Sequence, residues 1–200
     1  MFSLQVTMLI ALLSAAAFAQ AAPAVDDTTL FSAEGYRQAY YRSPTPEAVE
    51  GARTLTTAAL QAQLARDPRT ALIDVYRRQW LFGQFIEDEP HANLPGSVWL
   101  ANTGDGHLQA PWAAYFRDNL ERLSQGDLQW PLVFYCRSDC WLGWNAVKRA
   151  HAMGYTNLYW YRDGVDAWEQ AGLPLQPATP EPMRDAGQTA VRHAPPISQQ

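Results

Sequence analysis

Apolar positions in this chain fall into short runs separated by stretches of helical spacing. ALIDVY (71–76), SVWL (97–100), PLVFY (131–135) and NLYWY (157–161) are brief and rich in β-branched and aromatic residues, and they predict buried strands. Between them the period changes. Thr56 or Thr57 caps a predicted helix running to about Arg66, with Leu60 and Leu64 on one face. Pro111 opens a second helix to about Ser124, carrying Trp112, Tyr115, Phe116, Leu120 and Leu123 at helical spacing. A third runs from about Trp141 to Met153 and is closed by Gly154, where a left-handed cap is wanted. A short fourth covers Val165–Ala171 and ends at Gly172. Strands alternating with helices predict an α/β fold with a central, mostly parallel sheet and helices on both faces. Ligands of such sheets sit beyond the carboxyl ends of the strands. Cys136, which directly follows PLVFY and precedes a helix, falls at that edge.

The ends of the chain read differently. The first 25 residues hold no charged side chain, and Val6–Ala19 is a short apolar stretch followed by A-x-A sites at Ala17/Ala19 or Ala19/Ala21. This is the layout of a cleaved secretory signal over residues 1–21. The run is shorter than the ~20 residues of a spanning helix, which favours cleavage over an uncleaved anchor. Export to a bacterial periplasm is expected, with no stable membrane span after cleavage. Residues 22–53 read as an N-terminal extension. Tyr36, Tyr40 and Tyr41 suggest packing against the domain body, and Pro44 and Pro46 block regular structure. Residues 54–175 form the expected domain. From Gln176 to 200 the chain is rich in Pro, Thr, Gln and Ala and is expected to be a disordered tail.

Charge narrows the partners. Fifteen basic residues against twenty acidic ones, with no basic run, offer no footprint for nucleic acid. At 200 residues the chain is long enough for one well-buried domain and short for two.

Export changes how the two cysteines, Cys136 and Cys140 in YCRSDCW, are read. In an oxidising compartment such a pair is often a disulfide; in a cytosolic protein it is more often a redox or metal pair. A staple that closes so short a loop removes little entropy from the unfolded chain, so local chemistry explains the pair better than stabilisation does. A thiol between a strand end and a helix N-terminus meets unpaired backbone N–H groups and the positive end of the helix dipole, which favour the thiolate. The loop of Arg137, Ser138 and Asp139 is placed to cradle an anion such as a persulfide, with Arg137 adding positive charge and Asp139 opposing it. Cys140 is near enough to resolve an oxidised or persulfidated Cys136; it suits equally a buried, inert place.

The stretch PLVFYCRSDCWLGWNAVKRAHAMGYTNLYWYRDGVDAWEQAGLPL resembles the C-terminal half of a rhodanese domain, with ALIDVY and LPGSVWL resembling its earlier strands. The resemblance covers roughly Thr54–Leu175 in order and implies a rhodanese-like fold with Cys136 in the active-site position. GYR…YRSPTP together with Cys-x-x-x-Cys-Trp and WNAVKRA resembles a narrower group: exported rhodanese-like proteins named for a CXXCW motif and associated with PQQ-dependent alcohol catabolism. Here three residues separate the cysteines. Many active rhodaneses close the loop with Arg followed by Ser or Thr; Trp141 and Leu142 stand there instead. A rhodanese-fold phosphatase also needs that Arg and is excluded. The family further implies that Asp74 fixes backbone geometry and is not an acid–base catalyst.

Three functions follow as expectations. The first is a sulfur carrier or sulfurtransferase working through Cys136 and Cys140 on a small sulfur-containing or thiol substrate. The second is a soft-metal protein, since two cysteines with a distant His suit Cu(I). The third is a non-catalytic accessory of a periplasmic quinoprotein dehydrogenase system. His91, His107 and His151 have no metal-ligand spacing, and no bound metal or cofactor is expected. Asn102–Gly106 reads as an ordinary turn. Of eight tryptophans, Trp144, Trp160 and Trp168 are expected in the core, with Trp141 the better candidate for a pocket wall.

Overall fold

A computed structural model describes residues 30–87 and 89–183. The expected signal segment (1–21) and the end of the expected tail (184–200) lie outside the described residues. The central sheet has five strands, all parallel: β1 (Ala52–Thr54), β2 (Ala71–Asp74), β6 (Val98–Trp99), β7 (Leu132–Tyr135) and β8 (Leu158–Tyr161), in the order β1-β8-β7-β2-β6. β7 lies at its centre with every residue buried, which is why LVFY is a continuous apolar run and not an alternating one.

Pleating divides that run between two cores. Leu132 and Phe134 face helices α2 (Ala110–Ser124) and α3 (Trp141–Ala152), meeting Phe116, Leu120, Ala146, Val147 and Ala150. Val133 and Tyr135 face α1 (Thr57–Arg66) and α4 (Gly164–Gln170), meeting Leu60, Val165 and Trp168. The expected α/β layering, with helices on both faces of a parallel sheet, is the observed one. Local caps hold as well. Thr56 Oγ accepts from Ala59 N at 3.3 Å. Gly154, at φ +96, takes the turn after α3 and donates its N–H to His151 O.

Strand β1 has no sequence signature, because its three residues are largely exposed, and it begins the sheet two residues before the expected domain start. The loop from Arg77 to Gly96 contains a two-residue hairpin, β3 (Trp80–Leu81) with β4 (Gln84–Phe85), turned by Phe82 and Gly83, both at positive φ. Within it also lies β5 (Ala92–Asn93). The beginning of the expected tail needs correction. β9 (Gln176–Pro177) pairs antiparallel with β5, Glu181 N donates to Trp99 O, and Glu181 accepts from Tyr115 and Arg122. Composition carried no sign of this, since a backbone edge supplied by distant strands provides the partners. No helix among the described residues is long and apolar enough to cross a membrane.

Candidate functional site

Strand β7 delivers Cys136 to the carboxyl edge of the sheet, and α3 starts at Trp141, so the five residues 136–140 form the crossing loop. Cys136 and Cys140 are joined as a disulfide with Cα atoms 6.2 Å apart, and both residues are almost fully buried. Of the states the sequence leaves open for this pair, the structure holds the disulfide, in which Cys136 has no free thiolate.

The loop is fastened on two sides. On one, α4 holds it. Val165 N donates to Cys136 O at 3.1 Å, and Ser138 donates to Asp166 Oδ2 from both its N (3.1 Å) and its Oγ (2.7 Å). Arg137 is exposed and donates from Nε and a terminal nitrogen to Asp166 Oδ1 at 3.0 and 2.8 Å. Burial pushes the Asp166 carboxyl up, but the hydrogen bonds from Arg137 and Ser138 outweigh it and hold it below its ordinary range. Arg137 thus neutralises Asp166 and leaves the sulfurs alone. Asp139 is exposed and takes a left-handed turn at φ +49. Gly164, at φ +54, has no room for a side chain: an added Cβ would lie 2.2 Å from Cys136 O.

On the other side lies the N-terminal extension. Its residues Tyr41–Ser43 run antiparallel to the loop, with Ser43 N donating to Asp139 O at 3.0 Å and Trp141 N donating to Tyr41 O at 2.9 Å. Arg42 donates to Ser138 O at 2.6 Å. Arg37, 6 % exposed, places its guanidinium 4.8 Å above the Trp141 ring, and Phe31 packs edge-on against Trp141 at 5.4 Å. Asn145, fully buried on α3, clamps the segment. It accepts from Arg37 N and donates to Arg37 O and Gly104 O, at 2.8–2.9 Å. Gly104 and Gly106 come so close to Leu142 and Arg37 that a Cβ on either would overlap them. The 102–106 turn is accordingly a platform for this strap.

Two expectations change here. The amides of Ser138 and Trp141 are already committed to Asp166 and Tyr41, so the loop offers less to an anion than a bare cradle would. Trp141 is nearly buried beneath the strap and does not line the open cleft beside the loop. Trp160 and Trp168 are core residues as expected, whereas Trp144 lies half-buried under the strap and donates to Ala48 O. Tyr36 and Tyr41 pack on the body, but Tyr40 is 64 % exposed.

That cleft holds about 390 Å³ and is lined by Tyr40, Tyr41, Arg42, Tyr76, Arg77 and Leu142 around Cys140. A wider depression of about 550 Å³ shares Arg77 but reaches neither cysteine. Behind the cleft, Asp74 is fully buried at the end of β2, accepting from Tyr76 N at 2.8 Å and lying 2.7 Å from His91 Nε2. Burial raises the Asp74 carboxyl against the opposing contact from His91. His91 stacks on Tyr76, and Tyr76 accepts from Trp99 Nε1. Through its bond to Tyr76 N, Asp74 holds the backbone that carries Tyr76 in the cleft wall. Among the described residues no three His, Cys, Asp or Glu side chains gather as a metal site.

A family model for the rhodanese-like domain matches residues 56–171, well over half the chain. The chain belongs to the rhodanese-like family. No curated protein matches it significantly. Among solved structures it is similar to the polysulfide-sulfur transferase homodimer of Wolinella succinogenes, at 17% identity and a TM-score of 0.42, over 63% of this chain and 79% of that one. It is also similar to a thiosulfate sulfurtransferase of Pseudomonas aeruginosa (13%, 0.47, 70% and 23%) and to a human single-domain sulfurtransferase (24%, 0.39, 60% and 96%).

In this rhodanese-like chain, sequence reasoning located the loop and both cysteines but missed His91, Asn145, Asp166 and the strap residues Arg37, Arg42 and Ser43. His91 stands just before the ANLPGS segment and Asp166 in the first turn of α4, so each had a positional hint. Asn145 lies within WNAVKRA, but its clamp on two distant backbones shows only where the fold brings them to it.

Proposed function

We propose that this rhodanese-like chain is an exported thiol protein that moves sulfur through the Cys136–Cys140 pair, cycling between a disulfide and a form in which one cysteine carries a substrate sulfur. The observation that carries this reading is a disulfide set at the carboxyl edge of the central strand, beside a cleft of small-molecule size. In the forward step a thiolate or hydropersulfide forms a bond to one cysteine sulfur as the Cys136–Cys140 bond breaks and the other cysteine leaves as a thiolate. With a hydropersulfide, that thiolate then attacks the incoming outer sulfur and expels the donor's thiolate, leaving one sulfur between the two cysteines; an acceptor thiolate takes this bridging sulfur, and the cysteine it frees attacks the other cysteine, re-forming the disulfide and releasing the acceptor as a hydropersulfide.

The apolar N-terminus supports export to the periplasm. The narrower resemblance, to exported proteins of PQQ-dependent alcohol catabolism, supports a quinoprotein dehydrogenase system as the setting. The missing loop Arg and the committed loop amides argue against ordinary thiosulfate chemistry and for a donor that reacts by disulfide exchange.

Intact mass of the protein from periplasm, before and after exposure to polysulfide, tests the proposal. A reductant-labile added sulfur that requires the cysteine pair supports it. No added mass, with the disulfide intact under a polysulfide excess, overturns it.

A further inference from the structure

Of the two bonded sulfurs, the cleft singles out one. Cys140, not Cys136, contributes to its wall; both residues belong to the core around Phe134 and Leu142, and the Cys136 carbonyl is bonded to α4. Cys140 is the N-cap of α3, a twelve-residue helix, and no side chain caps that end. At 1 % exposure Cys140 meets no bulk solvent, so only a group seated in the cleft reaches it.

The lining also has a charge. Arg42 and Arg77 both contribute, and no carboxylate does. Arg77 is paired with Asp105 at 2.6 Å, whereas Arg42 has only the Ser138 carbonyl and makes no ion pair among the described residues. Tyr40, Tyr41 and Tyr76 complete the wall with rings and hydroxyls.

We infer that Cys140 is the sulfur that meets the substrate, and that the cleft takes a small thiolate or hydropersulfide bearing a further negative charge, held by Arg42. This rests on the sulfur-exchange reading above. The incoming sulfur gives its electron pair to a new bond at Cys140 Sγ. The Cys136–Cys140 bond breaks, and its pair leaves on Cys136. The substrate sulfur is oxidised, Cys136 is reduced, and no other redox partner is needed. The carried group resides on Cys140, and Cys136 is the resolving thiol, the reverse of the assignment that resemblance implies.

The test uses the full chain in its disulfide form with three probes: mercaptoacetate, 2-mercaptoethanol and cysteamine. Rates are compared per thiolate, and acid quenching, alkylation and peptide mass locate the adduct. The expected result is a mixed disulfide on Cys140 with Cys136 alkylated. Mercaptoacetate should lead 2-mercaptoethanol by roughly 5- to 10-fold and cysteamine by more. Arg42→Gln should bring the first two within about twofold of each other, with the adduct still on Cys140. A Cys136→Ser variant, its free Cys140 thiol loaded by exchange with the disulfide of mercaptoacetate, should hold the adduct stably, since no resolving thiol is left to expel it. An adduct on Cys136 overturns the inference while leaving sulfur exchange standing. Equal rates for the three probes overturn the anion preference. A disulfide inert to all three thiols and to polysulfide overturns the inference and the exchange reading together.

Discussion

Asn145 joins the strap to the helix that begins after the Cys136–Cys140 loop, and replacing it with alanine tests whether the strap controls access to the disulfide. The side chain is fully buried and makes three hydrogen bonds, one accepted from Arg37 N and two donated, to Arg37 O and Gly104 O. In Asn145→Ala the Arg37 N–H is left buried without an acceptor, at a cost of about 1–3 kcal/mol. Each carbonyl loses one bond, about 0.5–1.5 kcal/mol apiece. The sum centres on about 4 kcal/mol. If that loss falls on the strap's own opening, its open fraction rises roughly 1000-fold. Urea unfolding reads the global loss, and hydrogen exchange at Ser43 and Trp141, whose amides pair strap and loop, reads the local one. The rate of disulfide reduction by 2-mercaptoethanol should rise with the exchange. A stability loss below about 1 kcal/mol, with unaltered exchange at those two amides, would refute the reasoning.

Three further outcomes are expected. Gly164→Ala forces a Cβ to within 2.2 Å of Cys136 O at a left-handed φ, so it should cost about 2–4 kcal/mol in urea unfolding and displace the loop. His91→Ala leaves the Asp74 carboxylate buried with one backbone donor and should destabilise by about 3 kcal/mol, and adding Asp74→Asn should recover part of that; no recovery would show that ring packing, not charge, dominates. Asp166 is held below its ordinary range in the folded state, so its contribution is present above the unfolded carboxylate value and is lost as pH falls through the depressed folded one. Wild type should therefore exceed Asp166→Asn in stability near pH 7, and the gap should close below about pH 4, read by unfolding at several pH values.

Much of the fold was legible because it rests on local periods. LVFY is continuous because β7 is covered on both faces, and the Leu60/Leu64 and Phe116/Leu120 spacings follow from helices that are each covered on one. The strand–Cys–helix order also placed both cysteines at the sheet edge before any coordinates. The strap pairing, β1 and β9 were not legible. Their residues are short, polar or partly exposed, and they are ordered by backbone partners that lie far off in sequence.

By itself, then, the sequence determined the layering of the domain and the position of the cysteine pair, since hydrophobic spacing and chain order carry both. Only the tertiary structure decided what surrounds that pair. Arg137 turns to Asp166, Trp141 goes beneath Arg37, and Cys140 alone of the two cysteines lines the cleft. Each of these outcomes depends on contacts between segments far apart in sequence, from Arg137–Asp166 to Arg37–Trp141, where burial and hydrogen-bond satisfaction choose among partners that local sequence leaves equal.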